Sequence, residues 1–141
     1  MLKNISPILS PELLKILMEM GHGDTIVIGD GNFPAASNAK RLVRLDGHGV
    51  PEILAAILDL MPLDTYVENP VSLMDNGDEA NRPPIWAEYK KIVEEKEGDK
   101  GFGLVERFQF YEDARNAYCV VATGETAIYA NIILQKGVVI Q

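Results

Sequence analysis

An α/β fold, with helices layered on both faces of a mixed or largely parallel sheet, is predicted by three features of this chain. Apolar runs of strand length alternate with amphipathic stretches of helical period. The runs are rich in β-branched residues and bounded by turn formers, as in Thr25-Ile26-Val27-Ile28-Gly29 before Asp30. The helical stretches open on proline, at Pro11, Pro51 and Pro84, where the missing N–H costs nothing. A length of 141 residues with 47% hydrophobic content suits one domain, residues 1–141, with a real core.

The elements follow in order. Ser10-Pro11-Glu12 opens the first helix: serine caps it, proline fits the first position and glutamate favours the positive end. Leu13, Leu14, Leu17 and Met18 form its apolar face, and Gly21 stops it. Residues 25–29 read as a buried strand, and residues 30–38 as a loop by their glycine, proline and asparagine. Leu42 to Leu45 suits a short strand. Pro51 begins a second helix that buries Ile53, Leu54, Ile57 and Leu58. Thr65-Tyr66-Val67 is β-prone and limited by Pro70, and residues 75–83 form a polar loop. Pro84 begins a third helix with Ile85, Trp86, Tyr89, Ile92 and Val93 on its stripe. Val105 to Phe110 alternates with period two and reads as a half-buried strand, followed by one or two helical turns over Tyr111 to Ala117. Tyr118 to Thr123 and Ile128 to Leu134 read as two further strands.

Composition excludes several function classes. The net charge of −8 repels nucleic acid and anionic membranes. No apolar stretch reaches membrane-spanning length, and the N-terminus has no signal-peptide pattern, so the cytoplasm is the default expectation. The one cysteine, Cys119, lies in an apolar run and reads as a small core residue. His22 and His48 show no metal-type spacing, so no metal site is expected. Gly29-Asp30-Gly31 lacks the third glycine of a dinucleotide fingerprint, since position 34 is Pro34. No Gly-x-Ser-x-Gly elbow occurs.

Two polar stretches carry the chemistry. In Gly21-His22-Gly23-Asp24, a histidine stands between glycines after the first helix, and Asp30 closes the strand that follows. Histidine titrates near neutrality and suits proton transfer. Position alone leaves His22 between two readings, a cation over the last helical carbonyls and an acid–base group. Asp30 favours the second, because a carboxylate orients an imidazole or binds a hydroxyl. Asp24 serves the turn, and His48, in Asp46-Gly47-His48-Gly49, reads as a solvated turn residue. Near the other end, Gly124-Glu125-Thr126-Ala127-Ile128-Tyr129-Ala130-Asn131 is the second polar set. On the expected strand, Tyr129 and Asn131 point the same way and suit hydroxyl recognition. Arg107 needs a partner if its strand is buried; a ligand hydroxyl serves, as does a salt bridge to Glu106, Asp24 or Glu125.

The chain resembles the fucose mutarotase and ribose pyranase family over nearly its whole length. The resemblance rests on Leu9-Ser10-Pro11-Glu12-Leu13-Leu14, Glu19-Met20-Gly21-His22-Gly23-Asp24 and Asn32-Phe33-Pro34. It continues through Arg44-Leu45-Asp46-Gly47, Leu63-Asp64-Thr65-Tyr66, Glu106-Arg107-Phe108 and Thr123-Gly124-Glu125. Tyr129-Ala130-Asn131-Ile132-Ile133-Leu134 completes it, and the Phe33-Pro34 pair favours the fucose branch over the ribose branch. The resemblance implies an α/β protein that interconverts the anomers of a monosaccharide, L-fucose foremost, without a cofactor. It implies His22 as the catalytic acid and Asp30, Arg107, Tyr129 and Asn131 as sugar-binding positions; Tyr129 is also the expected second proton relay. Many bacterial relatives carry histidine at the position of Asn32, and the animal branch carries asparagine. The resemblance further implies a homo-oligomer, a closed ring such as a decamer or a smaller assembly, with sites at subunit contacts. Two rival expectations share these residues: pyranose–furanose interconversion of D-ribose, and non-catalytic binding of a monosaccharide.

Overall fold

The computed structural model describes residues 1–141 as six strands and five helices. Their order is α1 (Pro11–Glu19), β1 (Thr25–Gly29), α2 (Ala35–Asn38), β2 (Leu42–Leu45), α3 (Val50–Leu58) and β3 (Val71–Met74). Then come α4 (Ile85–Glu97), β4 (Phe102–Val105), α5 (Arg107–Asn116), β5 (Cys119–Thr123) and β6 (Ile132–Gln135). The strands form one sheet in the order β2-β5-β1-β6-β3-β4. Strand β6 runs antiparallel to both its neighbours, β1 and β3, while every other pairing is parallel. The sheet is therefore mixed, as the sequence predicts.

Alternation along the strands builds two cores. Ile26, Ile28, Cys119, Val121, Ile132, Leu134, Val71 and Leu73 face one way, into a cluster with residues of α1, α3 and α4. Val27, Val120, Ala122, Ile133 and Met74 face the other way, into a smaller cluster with Phe110 and Ala114 of α5 and Ala35 of α2. These are the three expected layers. Cys119 is fully buried and unpaired, and burial pushes its thiol up to about 12. It is a core residue.

Helix starts match the sequence logic. The Ser10 hydroxyl accepts the Leu13 N–H at 3.2 Å. Glu125 reaches across from the loop after β5 to accept the Val50 N–H at the start of α3. Ile53, Leu54, Ile57 and Leu58 are all buried, as expected.

Several expectations are corrected. In α1, Met18 is 87% exposed, and Ile16 and Met20 join Leu13 and Leu17 in the core instead. The loop over 30–38 contains the short helix α2. Thr65-Tyr66-Val67 forms no strand; its side chains are exposed, and β propensity without burial does not make one. The strand lies after Pro70, at β3. Val105 to Phe110 is not a strand either. β4 ends at Val105, and Glu106 caps α5 by accepting the Phe108 and Gln109 N–H groups at 3.0 Å each. The period-two signal was coincidental: Phe108 is 66% exposed, whereas Phe110 and Ala114 are buried at helical spacing. Residues 128–131 precede β6 as a turn, so Tyr129 and Asn131 do not share a strand face.

Candidate active site

All strands but β6 point their carboxyl ends toward one edge of the sheet, the edge where ligands gather in α/β proteins. Because β6 runs the other way, its first residues meet the last residues of β1 and β3 at that edge. Asp30 follows β1, Met74 ends β3, Arg107 follows β4 and Asn131 precedes β6. They line one cavity of about 210 Å³ together with Phe33, Tyr111, Ile128, Tyr129 and Asn32. Pockets for drug-sized ligands run to roughly 300–1,000 Å³, so this one suits a monosaccharide.

Asp30 and Asn131 brace each other. The Asp30 N–H donates to Asn131 Oδ1 at 2.8 Å. The Asp30 carboxylate accepts the Ala130 N–H at 3.2 Å and the Asn32 N–H at 3.0 Å. Both residues are nearly buried. Burial pushes the Asp30 carboxyl above the usual aspartate value, against the lowering effect of the backbone N–H groups of Ala130, Asn32 and Phe33. The Asn131 amide nitrogen has only the Met74 sulfur within reach, at 3.7 Å, so its donors remain available to a hydroxyl. Gly29 must be glycine for this wall to form: an added Cβ would stand 2.8 Å from the Phe33 ring.

Tyr129 has φ of 50°, in the left-handed region that side chains seldom adopt. Helix α4 holds it there. Trp86 Nε1 donates to the Tyr129 carbonyl at 2.8 Å, and the Tyr89 hydroxyl donates to the Ala130 carbonyl at 2.7 Å. Trp86 and Tyr89 are one turn apart on the buried face of α4. Their apolar bodies belong to the core, and their polar tips fix the rim of the cavity.

Arg107 is exposed at the first position of α5 and pairs with no carboxylate. None of the salt bridges offered by the sequence, to Glu106, Asp24 or Glu125, is made. Its Nε donates instead to the Tyr111 hydroxyl at 2.9 Å, and this contact holds the guanidinium above the ordinary arginine value. The cavity thus combines a carboxylate, two amides, two phenols and a cation without a carboxylate partner with an apolar wall of Phe33, Met74 and Ile128.

His22 is not there. The β1 strand alone spans about 16 Å at roughly 3.3 Å per residue. His22 stands before its start and Asp30 after its end. Asp30 therefore cannot orient the imidazole of its own chain. The partner of His22 is Asp64, whose Oδ1 lies 3.1 Å from His22 Nε2. Asp64 is only 2% exposed, and the Tyr66 N–H leads the contacts that hold its carboxyl below the usual range. The helical carbonyls play no part in holding His22: Met20 is the cap of α1. Asp24 serves the turn, accepting the Gly21 N–H at 2.8 Å. His48 sits on the surface beside Glu52.

The structure brings Asp30, Arg107, Tyr129 and Asn131 to one cavity and leaves His22 at the opposite edge of the sheet. Sequence reasoning misses Met74, because β3 was not anticipated, and it misses the parts played by Asp64, Trp86 and Tyr89. A tryptophan and a tyrosine at helical spacing inside an apolar stripe were the available signal, since each carries a polar tip that a core must satisfy.

Comparison with known proteins identifies the family. The profile of the RbsD / FucU transport protein family matches residues 3–139. The fucose mutarotase of Homo sapiens is 47% identical, over 97% of this chain and 94% of that one. The crystal structure of the fucose mutarotase from Streptococcus pneumoniae in complex with L-fucose superposes with a TM-score of 0.94 at 50% identity, covering 99% of this chain and 100% of that one. The structure of Bacillus subtilis RbsD complexed with D-ribose is more distant, with a TM-score of 0.76 and 26% identity over 99% of this chain and 100% of that one.

Proposed function

Since the chain belongs to the RbsD / FucU family, we propose that it is a mutarotase interconverting the α and β anomers of L-fucose. The observation that carries this reading is the convergence of Asp30, Arg107, Tyr129 and Asn131 on one cavity of monosaccharide size. The high similarity to fucose mutarotases, against the low similarity to a ribose-binding relative, favours fucose over ribose.

A pyranose changes anomer by opening to the aldehyde and closing on the other face. Opening requires a proton at the ring oxygen and loss of one from the anomeric hydroxyl; closing reverses both. Asp30 and Asn131 hold sugar hydroxyls, and Arg107 donates to them without a competing carboxylate. Tyr129 relays the proton of the anomeric hydroxyl, its own phenol proton passing to solvent as the new one arrives, and the reverse on closing. His22 is the general acid at the ring oxygen, the proton-transfer role that imidazole most often fills in enzymes. The apolar wall receives the deoxy carbon of fucose.

His22 cannot reach the cavity of its own chain, so the acid enters from a second copy. This makes the working unit a homo-oligomer, a closed ring such as a decamer or a smaller assembly, in which the amino-end edge of one sheet meets the carboxyl-end edge of the next. A metal and an organic cofactor have no step to perform in this scheme. The cytoplasm is the compartment we assign, where the lone thiol of Cys119 stays reduced.

The test is NMR saturation transfer between the anomers of L-fucose, with D-ribose as comparison and His22→Ala as control. Exchange with fucose that vanishes in His22→Ala supports the reading. Binding of fucose without accelerated exchange would make the protein a sugar carrier instead.

A further inference from the structure

Glu125 lies in the loop after β5, outside the sugar cavity. Its backbone and its side chain are both engaged. The Glu125 N–H donates to Thr123 Oγ1 at 3.1 Å, and its carbonyl accepts the N–H of Gly31, the residue after Asp30, at 2.8 Å. The carboxylate divides between two other segments. Oε1 accepts the Val50 N–H at 3.1 Å, and Oε2 accepts the Ala127 N–H at 3.0 Å. The approach is close: a Cβ added at Gly49 would stand 3.0 Å from Oε1, and one at Gly31 would stand 2.9 Å from the Glu125 carbonyl.

The two carboxylate contacts differ in kind. Val50 begins α3, and Val50, Ile53, Leu54 and Ile57 are all fully buried, so this end of the helix belongs to the core. A carboxylate also favours the positive end of the helix dipole. Ala127 stands two residues before Tyr129, in the segment that leads to β6. Tyr129 has φ of 50°, and such a conformation persists only where the surroundings impose it. On the far side the constraints are Trp86, Tyr89 and Asp30, acting on the Tyr129 carbonyl and on Ala130. On the near side, residues 126–128 make one hydrogen bond, the one from Ala127 to Glu125.

We infer that Glu125 is a positioning residue for Tyr129: its carboxylate ties the turn that carries the phenol to the core-bound first turn of α3. This rests on the reading of Tyr129 as a proton relay in a mutarotase. A phenol on a loosened turn leaves its place, and a misplacement of about 1 Å can cost roughly 10²-fold in rate.

The test separates capping of α3 from holding of the turn, because Glu125→Ala removes both. The second variant is Glu125→Ala combined with Gly49→Ser. Gly49 is the N-cap of α3 at φ of −88° and ψ of 165°, extended as a serine cap requires, and Glu52 Oε1 already accepts its N–H at 3.0 Å. Once the Glu125 carboxylate is gone, the nearest neighbour of the new Cβ is Pro51 Cδ at 3.7 Å. The serine hydroxyl completes a capping box and restores the start of α3 without touching Ala127. Glu125→Ala should lower the unfolding temperature and reduce kcat/KM for L-fucose anomer exchange by up to roughly 10²-fold per folded molecule. The double variant should regain the unfolding temperature while kcat/KM stays low. NMR backbone shifts of residues 126–130 should stay displaced in it while those of α3 return. Exchange that recovers together with stability in the double variant, or wild-type kcat/KM in folded Glu125→Ala, makes Glu125 a helix cap only and overturns the inference. Either result beside an active wild type leaves the mutarotase reading standing. A wild type that does not accelerate exchange removes that reading, and the inference with it.

Discussion

The two edges of this sheet are built for different tasks. At the carboxyl edge, Asp30, Tyr129 and Asn131 are clamped by backbone and by two side chains of α4, around a concave cavity that sets polar groups against an apolar wall. At the amino edge, a half-exposed histidine stands on a glycine turn with one buried carboxylate behind it. The first edge binds and has no histidine. The second has the histidine, outside the cavity that holds Asp30, Arg107, Tyr129 and Asn131. The difference teaches that the two sets of candidate residues are separated by the length of β1 within one chain, so that the proposed mechanism requires a second copy to combine them.

If that division holds, His22→Ala produces the largest effect. Positioned acid groups contribute roughly 10²–10⁴-fold, and anomer exchange should fall by that order while fucose affinity and unfolding temperature stay put. A fall in affinity equal to the fall in rate would erase the division. Next comes Asp30→Ala at the other edge. It strands the buried N–H of Ala130, which costs about 1–3 kcal/mol without a partner, and removes the acceptor of the exposed Asn32 N–H. Calorimetry should show weakened fucose binding together with reduced stability, a pairing that His22→Ala lacks.

Tyr89→Phe sharpens the comparison further. It removes one hydrogen bond to the Ala130 carbonyl and nothing else, at about 1 kcal/mol. KM should rise through loosening of the Tyr129 turn, with unfolding temperature slightly lowered. An unchanged KM would detach α4 from the site.

The smallest effect is in pH dependence. The Asp64 carboxyl is held below the ordinary aspartate value of 3.8, so the folded state favours its ionised form. Its contribution to stability is complete above that value and drains away as pH falls through the lowered folded-state value. Asp64→Asn should therefore flatten the acid limb of a stability-against-pH curve. Asp30 has the opposite sign: burial raises its carboxyl, so ionising it costs stability as pH rises. An acid limb that Asp64→Asn leaves unaltered would show that the buried carboxylate is not ionised in the fold.

The fold was legible where burial and period agreed. β1, β2, β5, α3 and the stripe of α4 follow from apolar spacing and helix starts. It was illegible at β3, where the β-prone Thr65-Tyr66-Val67 drew the strand signal to the wrong side of Pro70, and where a glutamate rather than a serine or aspartate caps a helix, as Glu106 does. Asp30, Arg107, Tyr129 and Asn131 could be chosen from residue type, position and resemblance. What sequence could not supply was direction along the sheet. His22 and Asp30 are close in the chain, and an intervening strand carries them to opposite edges. The antiparallel course of β6, which brings Asn131 to Asp30, is a tertiary choice that no local pattern encodes.

The most direct test of the two-copy site is complementation. His22→Ala and Arg107→Ala chains, each inactive in anomer exchange, are co-expressed so that they assemble together. A site formed by one chain's cavity and its neighbour's histidine is intact in about one quarter of random pairings. Recovery of exchange to about that fraction of wild type is the predicted result. Activity that stays at the level of the parents in assemblies shown to contain both chains would contradict it, and would return the acid to the chain that binds the sugar.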